Sequence, residues 1–197
     1  MTSTPIFQSS SGFYAELEAA AERLRQITVQ VRTPGLGEGS GVIWSRGGLV
    51  VSNAHVARAR SLEIELWDGR VLEGLVRWRD PHRDLALLAI PATGLPEAVP
   101  GDVEKLRPGE IVLALGHPFG HVNALSFGVI HGLSAGPRRN RWIRADIRLA
   151  PGNSGGPLAN VAGEVIGVNT LVAGGLAHAI PVSAVQRFLD ETGEQAA

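Results

Sequence analysis

The 197-residue sequence contains no cysteine, one methionine, one tyrosine and one lysine, Lys105. Without cysteine there are no disulfides, thiolate metal sites or cysteine nucleophiles, and any redox compartment remains open. Net charge is also lacking: 18 basic and 19 acidic side chains leave −1. No bulk attraction to nucleic acid or to an anionic membrane surface is therefore expected. No apolar run approaches the ~20 residues that cross a bilayer, so no membrane span is read. Met1 to Ser10 offers neither a basic n-region nor an apolar h-region, hence no secretory leader. As the sequence stands the expected compartment is the cytoplasm, or the periplasm or cell exterior had a leader been removed.

What is present is ordinary for a globular protein, 44% hydrophobic and 19% charged, at a length that fits one large β domain or two small lobes. Residues 1–11 are polar and read as a loose tail. Gly12–Gln26 is rich in Ala, Glu, Leu and Arg, with Phe13, Leu17 and Leu24 at helical spacing, and predicts a short amphipathic helix. The period then changes to two. Ile27, Val29 and Val31 alternate with polar residues, as do Leu62, Ile64 and Leu66, and Asp68-Gly69 turns the chain into Arg70–Trp78. Further short apolar runs lie at Gly41–Trp44, Leu49–Ser52, Leu85–Ile90, Ile111–Leu115, Leu125–Leu133 and Glu164–Thr170, divided by Gly, Pro, Asn or Asp. Many short strands with little helix imply a sandwich or barrel. Pro91–Arg107 has no strand period and reads as a linker between two β lobes. Ser183–Glu191 reads as a closing helix with Ser183 as its N-cap.

The densest chemical signal is Pro151-Gly152-Asn153-Ser154-Gly155-Gly156-Pro157. Glycines around one serine allow a tight turn with φ values that side chains disfavour. Such a turn can aim several N–H groups at one point beside the serine oxygen, as a tetrahedral oxyanion requires. A serine hydroxyl needs a base within reach and a group that orients the base. His55, in Asn53-Ala54-His55-Val56, ends a strand-like run and is the candidate base. Asp84, directly before the apolar run Leu85-Ala86-Leu87-Leu88, is the candidate orienting acid, with Asp80 as its rival.

The order His, Asp, Ser, with these blocks around them, resembles the trypsin-like serine proteases and, more narrowly, the protease domain of the HtrA/Deg family. Gly39-Ser40-Gly41-Val42-Ile43, Leu115–Gly120, Val165–Thr170 and Ala179-Ile180-Pro181 add to the match, which spans about residues 27–190. The resemblance implies an all-β fold of two six-stranded antiparallel β-barrels with a short N-terminal and a C-terminal helix. The chain then divides into a tail and helix over 1–26, a protease domain over 27–190 and a C-terminal helix and tail over 183–197. Within the domain the first barrel covers about 27–90, the linker about 91–107 and the second barrel about 108–182.

By the same resemblance, Ser154 is the nucleophile, His55 the general base and then acid, and Asp84 the orienting residue. The backbone N–H groups of Gly152 and Ser154 would form the oxyanion hole, with help from Asn153. In the substrate-binding S1 pocket, Leu149 fits an apolar position that favours aliphatic P1 side chains. Arg148 and His178 fall near the same region and would favour an acidic one. The expected activity is an endopeptidase acting on unfolded or damaged polypeptides through an acyl-enzyme, with no cofactor and no metal. The alternative is a latent or weakly active peptide-binding, chaperone-like module.

The sequence also departs from the family. The sequence as given leaves no room for the C-terminal PDZ domain that relatives often carry. His117 replaces the usual Asn before Pro-Phe-Gly, and Ser134–Arg141, where an activation loop would lie, is short and arginine-rich. Relatives commonly trimerise through N-terminal aromatic contacts, and Ile6, Phe7, Phe13 and Tyr14 make a homotrimer the expected assembly. His82, His117, His121, His131 and His178 lack metal-ligand spacing, since Pro-Phe-Gly between His117 and His121 forbids a helix. Arg138, Arg139, Arg141 and Arg144 read as a solvated loop, with only Trp142 as an aromatic neighbour.

Overall fold

The alternating segments close on themselves. In the computed structural model, which describes residues 10–33, 35, 37–118, 123–135 and 141–194, twelve strands form two closed six-stranded antiparallel barrels. The first barrel consists of β1 (Thr28–Thr33), β2 (Gly37–Ile43), β3 (Leu49–Ser52), β4 (Ser61–Glu65), β5 (Val71–Asp80) and β6 (Leu85–Ala89), in the order β1-β2-β3-β6-β5-β4. The second consists of β7 (Ile111–Gly116), β8 (Ala124–Ala135), β9 (Arg141–Asp146), β10 (Pro157–Asn160), β11 (Val165–Ala173) and β12 (Leu176–Pro181), and repeats the same order six strands later. Closure leaves no free sheet edge in either barrel. Between the barrels, residues 90–110 hold a short 3-10 turn, Val103–Lys105, and a single bridge from Pro100 to Val165.

Why β6 reads as an unbroken apolar run is now physical. Ala86 and Leu88 fill the first barrel with Val29, Val31, Ile43, Val50 and Ile64. Leu85 and Leu87 point the other way, with Val42 and Val51, into a core shared with Leu113, Leu158 and Val168 of the second barrel. A strand buried on both faces has no polar alternation to show.

Helix α1 (Ser10–Ile27) starts two residues earlier than the helical pattern predicts, so Ser10 and Ser11 belong to the helix and not to a loose tail. Its C-terminus takes Ile27, which had been read as strand: Thr28 Oγ1 donates to Leu24 C=O at 2.7 Å, closing the last turn as β1 begins. Ala20, Leu24 and Ile27 seat the helix on the shared core. Helix α2 (Val182–Thr192) places Ser183 inside the helix; the N-cap is Pro181, which makes no side-chain cap, and Gly193 ends the helix at φ 72. A strand leading straight into a helix leaves no residue free to act as the Ser N-cap.

Three strands escaped the sequence reading: β9, β10 and β12. Arg141 and Arg144 therefore lie in β9 rather than in a solvated loop, and Ile143 and Ala145 of the same strand are buried. Ile6, Phe7, Phe119, Gly120, His121, Arg138 and Arg139 lie outside the described residues.

Candidate active site

Strand β3 ends at Ser52 and runs directly into a turn that carries His55. Asn53, fully buried, organises that turn: its C=O accepts the N–H groups of Val56 (3.1 Å) and Ala57 (3.0 Å). Two arginines hold the turn from outside, Arg58 Nε on His55 C=O (2.5 Å) and Arg79 Nε on Ala54 C=O (2.8 Å).

Asp84 arrives from the β5–β6 connection. Asp80 shapes this connection by accepting the N–H groups of His82 (2.8 Å) and Arg83 (3.2 Å), so the rival acid is the turn's organiser. Asp84 itself sits at φ 55, a left-handed conformation uncommon for a non-glycine residue. Contacts on both sides hold it there: Asn53 Nδ2 donates to Asp84 C=O at 2.9 Å. Asp84 Oδ1 accepts His55 N–H (3.0 Å), and Oδ2 lies 2.7 Å from His55 Nδ1 and accepts Thr170 Oγ1 at 2.5 Å. Burial opposes ionisation of this carboxyl, but hydrogen bonds from the His55 ring, from Thr170 and from the His55 backbone outweigh it and hold the group below its ordinary range. Such a carboxylate fixes the imidazole with Nδ1–H toward Asp84 and leaves Nε2 as the free basic nitrogen.

The serine loop approaches from the second barrel. Asn153 N–H donates to Ala150 C=O at 3.0 Å, closing a four-residue turn with Pro151 and Gly152 at its centre. Gly152 has φ 105, which makes the turn type II, the form that favours proline followed by glycine. A side chain at Gly152 would also place Cβ 2.4 Å from His117 C=O. Beyond the serine, Gly155 N–H donates to Asn169 C=O (2.8 Å) and Asn169 N–H to Gly156 C=O (2.9 Å), so β11 grips the loop. Asn153 commits its N–H and its Nδ2 (3.2 Å) to Ala150 C=O. The second Nδ2 proton remains, so Asn153 stays beside the N–H groups of Gly152 and Ser154 among the candidates for an oxyanion hole.

The Ser154 hydroxyl donates to Thr170 C=O at 3.0 Å. Among the described residues no hydrogen bond joins it to His55. Ser154 lies where two clefts meet. One, of about 360 Å³, is walled by Leu149, Ala150, Pro151, Asn169, Thr170, Leu171 and Val172. The other, of about 190 Å³, is walled by Gly37, Glu38, His55, Val56, Arg58, Pro151 and Gly152. Leu149 walls the first of these clefts, whereas Arg148 and His178 line neither. His178 on β12 pairs with Arg144 and packs edge-to-face on Trp142, centroids 5.3 Å apart. Arg148 is exposed. Asn53 and Thr170 were missed as functional residues; both stood inside quoted sequence blocks, but only the fold brings them to Asp84.

Among the described residues no cluster of three His, Cys, Asp or Glu side chains is arranged to hold a metal ion, and no helix is long and apolar enough to cross a membrane.

Comparison with known proteins agrees with this geometry. Residues 39–168 match the family model described as a trypsin-like peptidase domain. The HhoB protein of Synechocystis is 42% identical over 165 residues, covering 78% of this chain and 40% of that protein. The mouse serine protease HTRA3 is 40% identical over 172 residues, covering 79% of this chain and 38% of its own length. Among solved structures, the HtrA-type protease AlgW with a tripeptide superposes with a TM-score of 0.83 at 30% identity, over 89% of this chain and 62% of that one. The chain thus spans about 40% of the length of the curated relatives it matches.

Proposed function

Because this chain belongs to the trypsin-like peptidase family, in its HtrA branch, we propose that it is a serine endopeptidase whose nucleophile is Ser154. The observation that carries the proposal is the Asp84 carboxylate held on His55 Nδ1 at 2.7 Å, beside the serine that joins the two clefts. In this mechanism the Ser154 hydroxyl leaves Thr170 C=O, gives its proton to His55 Nε2 and bonds through Oγ to the scissile carbonyl carbon. Asp84 stabilises the imidazolium without itself taking the proton. The N–H groups of Gly152 and Ser154 receive the negative charge on the former carbonyl oxygen. His55 then protonates the leaving amine as the C–N bond breaks. Water, deprotonated by His55, releases the acid from the acyl-enzyme and restores the Ser154 hydroxyl.

The larger cleft is proposed as S1. Leu149, Ala150, Leu171 and Val172 give it apolar walls, which supports cleavage after aliphatic P1 residues. Arg148 and His178 lie away from it, which disfavours an acidic P1. The proposed substrates are unfolded or damaged polypeptides, since the two clefts that meet at Ser154 are open to solvent and suit an extended chain. Assembly is proposed to be trimeric, with the exposed Phe13 and Tyr14, 6.1 Å apart and edge-to-face, in the contact; sedimentation as a monomer at micromolar concentration would remove that element.

A latent, peptide-binding form is the second reading, and one observation favours it: the hydroxyl rests on Thr170 rather than on His55. Digestion of unfolded casein, with mass mapping of the cut sites, separates the two readings. An endopeptidase gives cuts after Val, Leu, Ile or Ala that vanish in Ser154→Ala. Peptide binding without cuts supports the latent form.

A further inference from the structure

Ser40 lies on β2 in the first barrel, fully buried and 15 residues from His55, the nearest member of the triad in sequence. Its hydroxyl accepts His117 N–H at 3.1 Å and gives its single proton to Gly152 C=O at 2.7 Å. Its own N–H donates to Ser154 C=O at 2.8 Å. One residue of the first barrel therefore holds the carbonyls on either side of Asn153-Ser154, a loop that belongs to the second. The contact is close: a Cβ at Gly155 would stand 2.1 Å from Ser40 C=O.

We infer that Ser40 is a positioning residue for the oxyanion hole, a hydroxyl clamp that keeps the Pro151-Gly152 turn in its type II form. The inference rests on the proposed role of the Gly152 N–H. The Gly152–Asn153 peptide plane is held at both ends, by Ser40 at its C=O and by Ala150 at its N–H. With the Ser40 hydroxyl removed, the C=O end is free and Gly152, which lacks a Cβ, can leave φ 105 for the negative φ of a type I turn. That change rotates the Pro151–Gly152 peptide by about half a turn, because types I and II differ chiefly in the orientation of this central peptide. The Gly152 N–H then points away from the substrate oxygen. His117 N–H, the hydroxyl's other partner, also loses its acceptor. Ser40 touches neither substrate nor reacting atoms; it acts through the turn.

The test compares wild type, Ser40→Ala and Ser52→Ala on one chromogenic peptide. Ser52 Oγ donates to Ser40 C=O at 2.7 Å, so its loss loosens the same strand without touching Gly152. For Ser40→Ala the expected result is a fall in kcat on the order of 10²-fold, the loss seen when one oxyanion donor is removed, with KM within about twofold, as for an interaction made only in the transition state. A peptide boronate, which puts an oxygen into the hole, loses affinity by a comparable factor, while the product peptide binds as before. Ser52→Ala lowers the melting temperature and keeps kcat. Equal kcat losses in both variants, or an unchanged kcat in Ser40→Ala, overturns the clamp. A wild type that fails to hydrolyse overturns the endopeptidase reading instead. Should Ser40→Ala not fold, a crystal structure of the wild-type Ser154 phosphonate adduct decides. A retained Ser40 Oγ–Gly152 O contact supports the clamp, and a rotated Gly152 carbonyl with the hole still occupied ends it.

Discussion

At the scale of single residues, Asp84 is held by a left-handed φ, partial burial and four polar contacts, three through its carboxylate to His55 and Thr170 and one through its C=O to Asn53. Asp84→Asn keeps the shape but presents an amide N–H to His55, which favours the wrong tautomer; kcat is expected to fall by about 10⁴ with the fold intact. Steady-state kinetics beside a circular dichroism melt checks both halves of that expectation. Burial of His117, only 3% exposed, together with repulsion from Arg32, outweighs attraction from Glu65 and lowers its pKa to about 4. The unfolded imidazole titrates near 6.5, so between these values the unfolded chain binds the extra proton. Stability is then full above about pH 6.5 and declines by on the order of 3 kcal/mol as pH falls to about 4. Denaturant midpoints across that range are expected to show the decline in wild type and a shallower one in His117→Asn; parallel curves would refute it. The three triad candidates were legible because residue type and chain order announce them. Asn53, Thr170 and Ser40 were not, because nothing in a sequence marks which hydroxyl or amide the fold brings to a distant carboxylate or carbonyl.

At the scale of elements, the two helices act as packing for the barrels that carry the site. Phe188 and Leu189 of α2 are buried in the shared core beside β11 and β12. Phe188→Ala is expected to cost about 3–5 kcal/mol in chemical unfolding, and to leave the KM of the remaining folded enzyme unchanged. Arg83 also grips Glu191 of α2 through both guanidinium ends, next to Asp84. Both side chains are solvent-accessible, and Glu191→Gln is expected to leave kcat and the unfolding midpoint unchanged within error. A drop in kcat would mean that α2 steers the acid after all. Strands with one buried face, such as β4, were readable from alternation. Strand β9 was hidden by its arginines, although Ile143 and Ala145 kept the period, and β10 and β12, rich in proline and alanine, showed no clear apolar alternation.

At the scale of the whole molecule, the site exists only where the barrels meet. His55 and Asp84 come from the first, Ser154 and Thr170 from the second, and Ser40 reaches from one to the other. The core that holds Val42, Val51, Leu85 and Leu87 together with Leu113, Leu158 and Val168 crosses the same boundary. The barrels are therefore expected to unfold as one cooperative unit, with calorimetric and van't Hoff enthalpies in agreement; two resolved transitions would contradict the shared core.

The most direct measurement of the central claim is intact-mass analysis after treatment with a fluorophosphonate, which reacts with a serine only when a base and an oxyanion hole have activated it. The account expects one adduct per chain, mapped to Ser154, absent from Ser154→Ala and from heat-unfolded protein, and slowed in Ser40→Ala. A folded wild type that takes up no label, or takes it up at another residue, would contradict it.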